Sequence, residues 1–122
     1  DNMASVITLA EGTLGEFTYN GDAQWVEAGL PITVSVQIAG GEPFAYPKTA
    51  TIQGSLDGIN WFEGLTPQTL RHGQYYVING PAVNYIRFVR SPVPSLVAGA
   101  ASYTVKAIQP NNVQVDVDNL PA

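Results

Sequence analysis

Residues 32–38 alternate without a fault, with Ile32, Val34, Val36 and Ile38 apolar and Thr33, Ser35 and Gln37 polar. A β-strand turns successive side chains to opposite faces, so this pattern specifies a half-buried strand and conflicts with the 3.6-residue period of an amphipathic helix. Runs of the same kind recur at 6–9, 14–19, 24–28, 49–54, 59–62, 75–78, 85–90, 103–108 and 113–117. Each is short, rich in β-branched or aromatic residues, and bounded by Gly, Pro, Asn or Asp. Strand signals at intervals of about 8–12 residues, with turn residues between them, describe a sandwich or barrel, and the expectation is an all-β chain, an antiparallel β-sandwich of about eight or nine strands such as a jelly roll. No helical stripe competes, and the apolar run 96–101, with Gly99 inside it and Pro92 and Pro94 before it, reads as loop.

A chain of 122 residues has enough material for one core and too little for two ordinary domains, so residues 1–122 are expected to form a single sandwich. The tail 110–122 alternates Val113, Val115 and Val117 against Gln114, Asp116 and Asp118. That alternation fits an edge strand of the same domain or a tail that contacts a neighbouring subunit.

Charge narrows the partners. The net charge is −5, and the five basic residues, Lys48, Arg71, Arg87, Arg90 and Lys106, are scattered. Nucleic acid and anionic membrane are therefore not expected as partners, because both need clustered positive charge. No run approaches the roughly 18 apolar residues of a spanning helix, and no basic segment followed by an apolar one opens the sequence. Only 12% of residues are charged, against about a quarter in typical globular domains. Such a deficit suits a protein much of whose surface is covered by neighbours.

The inventory of reactive side chains is thin. His72 is the one histidine and there is no cysteine, so a nucleophile–base pair would have to join one of the serines to this imidazole, and no G-x-S-x-G elbow is present. His72 lies in Arg71-His72-Gly73, a turn between strands, and reads as an exposed polar residue. Asp57 and Glu63 form the one close carboxylate pair set among aromatic residues, but Asp57 has a turn role. Histidine or thiolate metal sites are excluded by count; calcium stays open in principle if oxygens at Asp57, Asp116 and Asp118 converge, but the D-x-D of Asp116 and Asp118 lacks the later Glu and central Gly of an EF-hand and reads as the wet face of a strand. The expectation is a protein with no catalytic residues, no cofactor and no metal.

Aromatic residues are expected mostly in the core, where their area contributes stability at about 25 cal/mol per Å². Tyr75 and Tyr76 are adjacent, so within a strand they face opposite ways and one of them is exposed. They are the candidate sugar contacts if the chain is a carbohydrate-binding module.

The segment 54–61, Gly54-Ser55-Leu56-Asp57-Gly58-Ile59-Asn60-Trp61, has the form G-S-x-D-G-x-x-W. Asp-Gly between strand-like runs favours a reversal, because Gly accepts positive φ and Asp bonds its own backbone; Ser55 can bond the turn, and Trp61 on the return strand is expected to cap the sandwich end. The string resembles the hairpin motif of discoidin-type galactose-binding β-sandwiches, and also small β-sandwich virion proteins of tailed bacteriophages, in which an aromatic-Ile-Arg strand follows; Asn84-Tyr85-Ile86-Arg87-Phe88 stands in that place. The discoidin pattern departs here in having no cysteine pair. The phage resemblance implies a structural virion protein, a decoration or cement protein on the capsid surface, contacting the major capsid protein or other virion proteins and forming a homo-oligomer, commonly a trimer. Under that reading the contact residues are Pro43, Phe44, Tyr46, Pro92, Val93, Pro94, Leu96 and Val97, in two loops rich in Pro, Gly and small apolar residues. The alternatives are a carbohydrate-binding module and a phage tail or baseplate adaptor domain.

Overall fold

The computed structural model describes residues 6–14, 17–39, 49–66, 69–92 and 101–110. Among them lie nine strands: β1 (Val6–Thr13), β2 (Tyr19–Asn20), β3 (Gln24–Trp25), β4 (Ile32–Ala39), β5 (Ala50–Ser55), β6 (Trp61–Phe62), β7 (Tyr75–Ile78), β8 (Tyr85–Arg90) and β9 (Ser102–Ile108). They form a four-stranded sheet in the order β1-β9-β4-β7 and a five-stranded sheet in the order β2-β8-β5-β6, with β3 also paired to β8. Every pairing is antiparallel. With β2 and β3 taken as one interrupted strand along β8, this is the strand order of a jelly roll, in which the chain passes repeatedly between two facing four-stranded sheets.

The alternation of the sequence becomes the core. Ile32, Val34, Val36 and Ile38 of β4 face Ala50, Ile52, Ile86 and Phe88 of the other sheet, and β9 adds Tyr103, Val105 and Ala107. Phe88 and Tyr103 meet across the sandwich with ring centroids 6.2 Å apart. In β1 the register slips between Thr8 and Ala10, a bulge that turns both Leu9 and Ala10 inward where strict alternation allows one of them. Of the run expected at 14–19, Leu14 joins the core and Tyr19–Asn20 form β2. The run at 113–117 lies outside the described residues.

Short strands leave donors of their longer neighbours uncovered, and turn backbone or side chains take the vacant places. Beyond the four residues of β7, the edge of β4 is satisfied by Gln74, whose carbonyl accepts from Val36 N–H at 3.1 Å, and by His72, whose Nδ1 accepts from Ile38 N–H at 2.8 Å. On β5, beyond the two residues of β6, Thr66 Oγ1 accepts from the buried Ile52 N–H at 3.3 Å. A buried N–H without a partner is costly, so these substitutes are part of the sheet.

Candidate functional site

The G-S-x-D-G-x-x-W segment forms the β5–β6 hairpin, with a five-residue connection, 56–60. Ser55, the last residue of β5, is fully buried. Its Oγ accepts from Gly58 N–H at 2.8 Å and Asp57 N–H at 3.2 Å; its single proton has the Asn60 carbonyl at 2.6 Å and Asp57 Oδ1 at 3.0 Å as competing acceptors. Asp57 Oδ1 in turn accepts from the N–H groups of Ile59 and Asn60 at 2.8 Å each, and Oδ2 from Asn60 Nδ2 at 2.9 Å. Hydrogen bonds from the Asn60 and Ile59 backbone, and then from the Asn60 side chain, hold the Asp57 carboxyl far below its ordinary value of 3.8. Gly58 completes the loop at φ +79°, the left-handed region. The carboxylate is thus committed to the loop as an acceptor, and no feature of it suits proton transfer.

Around this rigid loop the surface is apolar. Leu56 is 67% exposed and Ile59 77%. Leu56 and Phe62 bound a shallow hollow of about 270 Å³ together with Asp57 and Asn60. A second apolar strip crosses the outer face of the four-stranded sheet, where the registers align Val6, Ile108, Thr33 and Val77 in one row; Val6, Ile108 and Val77 are all exposed. The adjacent row is polar and runs Thr8, Lys106, Ser35, Tyr75.

The outer face of the five-stranded sheet differs again. Strand pairing aligns Trp25 of β3, Tyr85 of β8, Ser55 of β5 and Trp61 of β6 across it. Trp25 meets Tyr85 edge-on, ring centroids 5.6 Å apart, and remains 58% exposed. The guanidinium carbon of Arg87 lies 4.4 Å from the centre of the Trp61 ring, a cation–π stack, while Arg87 Nε donates to Gln53 Oε1 at 2.8 Å. Gln53 Nε2 reaches Glu63 Oε2 at 3.5 Å. Farther along β8 a hollow of about 250 Å³ opens over Val89, with Thr51, Gln53, Glu63, Asn20 and Thr18 among its lining residues. Beside it Arg90 points into the core, 2% exposed, donating to the carbonyls of Phe17 at 3.2 Å and Ser91 at 3.1 Å and lying 5.3 Å from the Tyr103 ring centre. Burial is the largest influence on its proton and lowers the guanidinium from its ordinary value.

The predicted site residues fall apart in space. Ser55, Asp57 and Gly58 make the hairpin loop as the motif implies, but Trp61 lies on the outer face of its sheet under Arg87 rather than over the sandwich end, because it pairs with Ser55 at an outward position of β5. Tyr75 is 71% exposed on the four-stranded sheet. Tyr76 faces the other way: it packs on the core, and its hydroxyl lies 3.3 Å from the Thr69 carbonyl and 2.5 Å from Gln74 Oε1 and accepts from Arg71 N–H at 3.2 Å. Pro92 is exposed; Pro43, Phe44, Tyr46, Val93, Pro94, Leu96 and Val97 lie outside the described residues, as do Asp116 and Asp118. Among the described residues no group of three or more His, Cys, Asp or Glu converges on a metal position. Sequence reasoning passed over Trp25, Tyr85, Gln53 and Glu63 as a group, since they come together only through the pairing of four strands.

No protein-family model matches the chain, and no curated protein does. Among solved structures, the chain is similar in fold to the SPBc2 prophage-derived protein YomS, with a TM-score of 0.61 over 89% of this chain and 95% of that one, at 9% sequence identity.

Proposed function

We propose that this chain is a structural component of a bacteriophage particle, a decoration or cement protein that attaches to the head surface and works by contact, without catalysing a reaction. The observation that carries this reading is the pair of exposed apolar surfaces. One lies at the Leu56, Ile59 and Phe62 hairpin and the other is the Val6, Ile108 and Val77 strip on the opposite sheet. A module with two separate apolar surfaces can hold a support with one and a sister copy with the other, which is what a cementing protein must do. The jelly roll supports the reading by analogy, since viral capsid proteins use it, and so does the likeness to a prophage-derived protein. The hairpin suits a contact surface because Ser55 and Asp57 fix the loop before binding, so little conformational entropy is lost on docking.

Light scattering on the purified chain, followed by rebinding to phage heads stripped of it, tests the proposal. A homo-oligomer that rebinds saturably, with at least tenfold weaker rebinding for Ile59→Asp and Leu56→Asp, is the expected result. A strict monomer with no affinity for the particles refutes it.

A further inference from the structure

The outer face of the five-stranded sheet has a chemistry that the two apolar contact surfaces do not share. It combines a fixed, exposed indole with a polar hollow. We infer that this face binds a neutral saccharide chain, with Trp25 as its stacking platform and the hollow over Val89 holding a hydroxyl-rich sugar ring.

Trp25 supplies the first element. A pyranose presents a flat array of C–H groups, and such a face packs on an aromatic ring whose own electrons are exposed. Trp25 is more than half exposed, and its edge-on contact with Tyr85 holds the indole in place, so little side-chain freedom remains to be lost on binding. Trp61 cannot serve in the same way on the side that Arg87 already covers.

The hollow supplies the second. At about 250 Å³ it lies below the roughly 300–1,000 Å³ of clefts that take drug-sized ligands, a size for one sugar ring. The lining that matters is the amides of Asn20 and Gln53, the hydroxyls of Thr18 and Thr51 and the carboxylate of Glu63. Every sugar hydroxyl both donates and accepts, and amides beside a carboxylate match that mixed demand better than they match a uniformly donating or accepting ligand. Gln53 is held at its Oε1 by Arg87 Nε, which orients its amide toward Glu63 and the hollow.

Charge and spacing choose the class. Glu63 at the rim and the net charge of −5 disfavour acidic glycans, while Arg87 is occupied by Gln53 and Trp61. Trp25 pairs with Tyr85, and the hollow lies over Val89, four residues farther along β8; at about 3.3 Å per residue that separates them by roughly 13 Å. A short chain of sugars spans both elements, and a free monosaccharide does not. This binding is additional to the particle role and uses none of the hairpin residues, so the two stand or fall separately.

An immobilised array of neutral oligosaccharides of glucose, galactose, rhamnose and N-acetylglucosamine, with uronic-acid and sialic-acid glycans beside them, probed with the full chain and followed by titration of the strongest hit, tests the inference. The expected result is saturable binding to a neutral oligosaccharide that weakens at least tenfold in Trp25→Ala and in Gln53→Ala, and changes less than twofold in Gln37→Ala on the opposite sheet. Binding should also shift tryptophan emission in the native chain and in Trp61→Phe, and not in Trp25→Phe, a conservative change that keeps the fold. No retention up to millimolar sugar, retention of acidic glycans alone, undiminished binding in Trp25→Ala, or loss on Tyr75→Ala in place of Trp25→Ala each overturns it.

Discussion

Replacing Ser55 with Ala should destabilise the fold by about 2–3 kcal/mol, although it removes one oxygen atom. The Oγ is fully buried and serves four groups: it accepts from two N–H donors and offers its proton to two acceptors. An ordinary intramolecular hydrogen bond contributes about 0.5–1.5 kcal/mol net, whereas a buried group stranded by the loss of its partner costs about 1–3 kcal/mol. Because Ala cannot rescue the Gly58 N–H or the Asn60 carbonyl, the upper range applies; for a chain of this length the corresponding fall in Tm is roughly 6–12 °C. Urea unfolding followed by tryptophan fluorescence would measure it, with far-UV circular dichroism to verify that the native spectrum is kept. A cycle with Asp57→Asn adds a sharper criterion: the two residues share one network, so the double variant should lose less than the sum of the singles by at least about 0.5 kcal/mol. A Ser55→Ala loss below about 0.5 kcal/mol, or strict additivity with Asp57→Asn, would refute the claim that this side chain organises the hairpin.

The Asp57 carboxyl is lowered on folding, so the stability it confers is complete above the unfolded value of 3.8 and is lost as the pH falls toward the folded value. Acid titration of stability should therefore decline more steeply below about pH 4 in the native chain than in Asp57→Asn, which is weaker at neutral pH and flatter in acid; parallel curves would contradict this. Gly80 has φ +33°, and a Cβ there would lie 2.8 Å from the Gly29 carbonyl oxygen, so Gly80→Ala should cost about 2–4 kcal/mol in chemical denaturation. Thr66→Val keeps side-chain shape but removes the acceptor for Ile52 N–H, and should cost about 1–3 kcal/mol, with faster exchange of the Ile52 amide by NMR.

The parts of this fold that can be read from the sequence are those in which one physical signal acts alone. Strands β4, β7 and β8 stand within a residue of their expected bounds: strict alternation at Ile32, Val34, Val36 and Ile38 marks the first, and short β-branched and aromatic runs closed by turn residues mark the other two. β1 is blurred because its bulge at Leu9 breaks the period that a reader relies on. Arg90 shows how composition misleads: charge suggests solvent, yet its position in β8 has the same parity as Ile86 and Phe88 and places it inside. The hairpin motif is legible because its bonds are local, between residues two to five apart. The aromatic and amide face is not, since Trp25, Gln53, Trp61 and Tyr85 meet only once four strands have taken their order. Tyr75 and Tyr76 drew notice as neighbours in the chain, whereas the face that combines an indole with a polar hollow is assembled from residues far apart in it.

His72 closes the flank of β4 with an imidazole in the position where a further strand would dock. Backbone pairing seals such a flank permanently, but a side chain can swing away. Beyond the Gln74 backbone, the Ile38 end of this flank is therefore held by one rotamer, and a chain lacking that ring would present Ile38 N–H to any extended peptide nearby. A His72→Gly protein should drift into β-linked aggregates while the two sheets themselves stay intact.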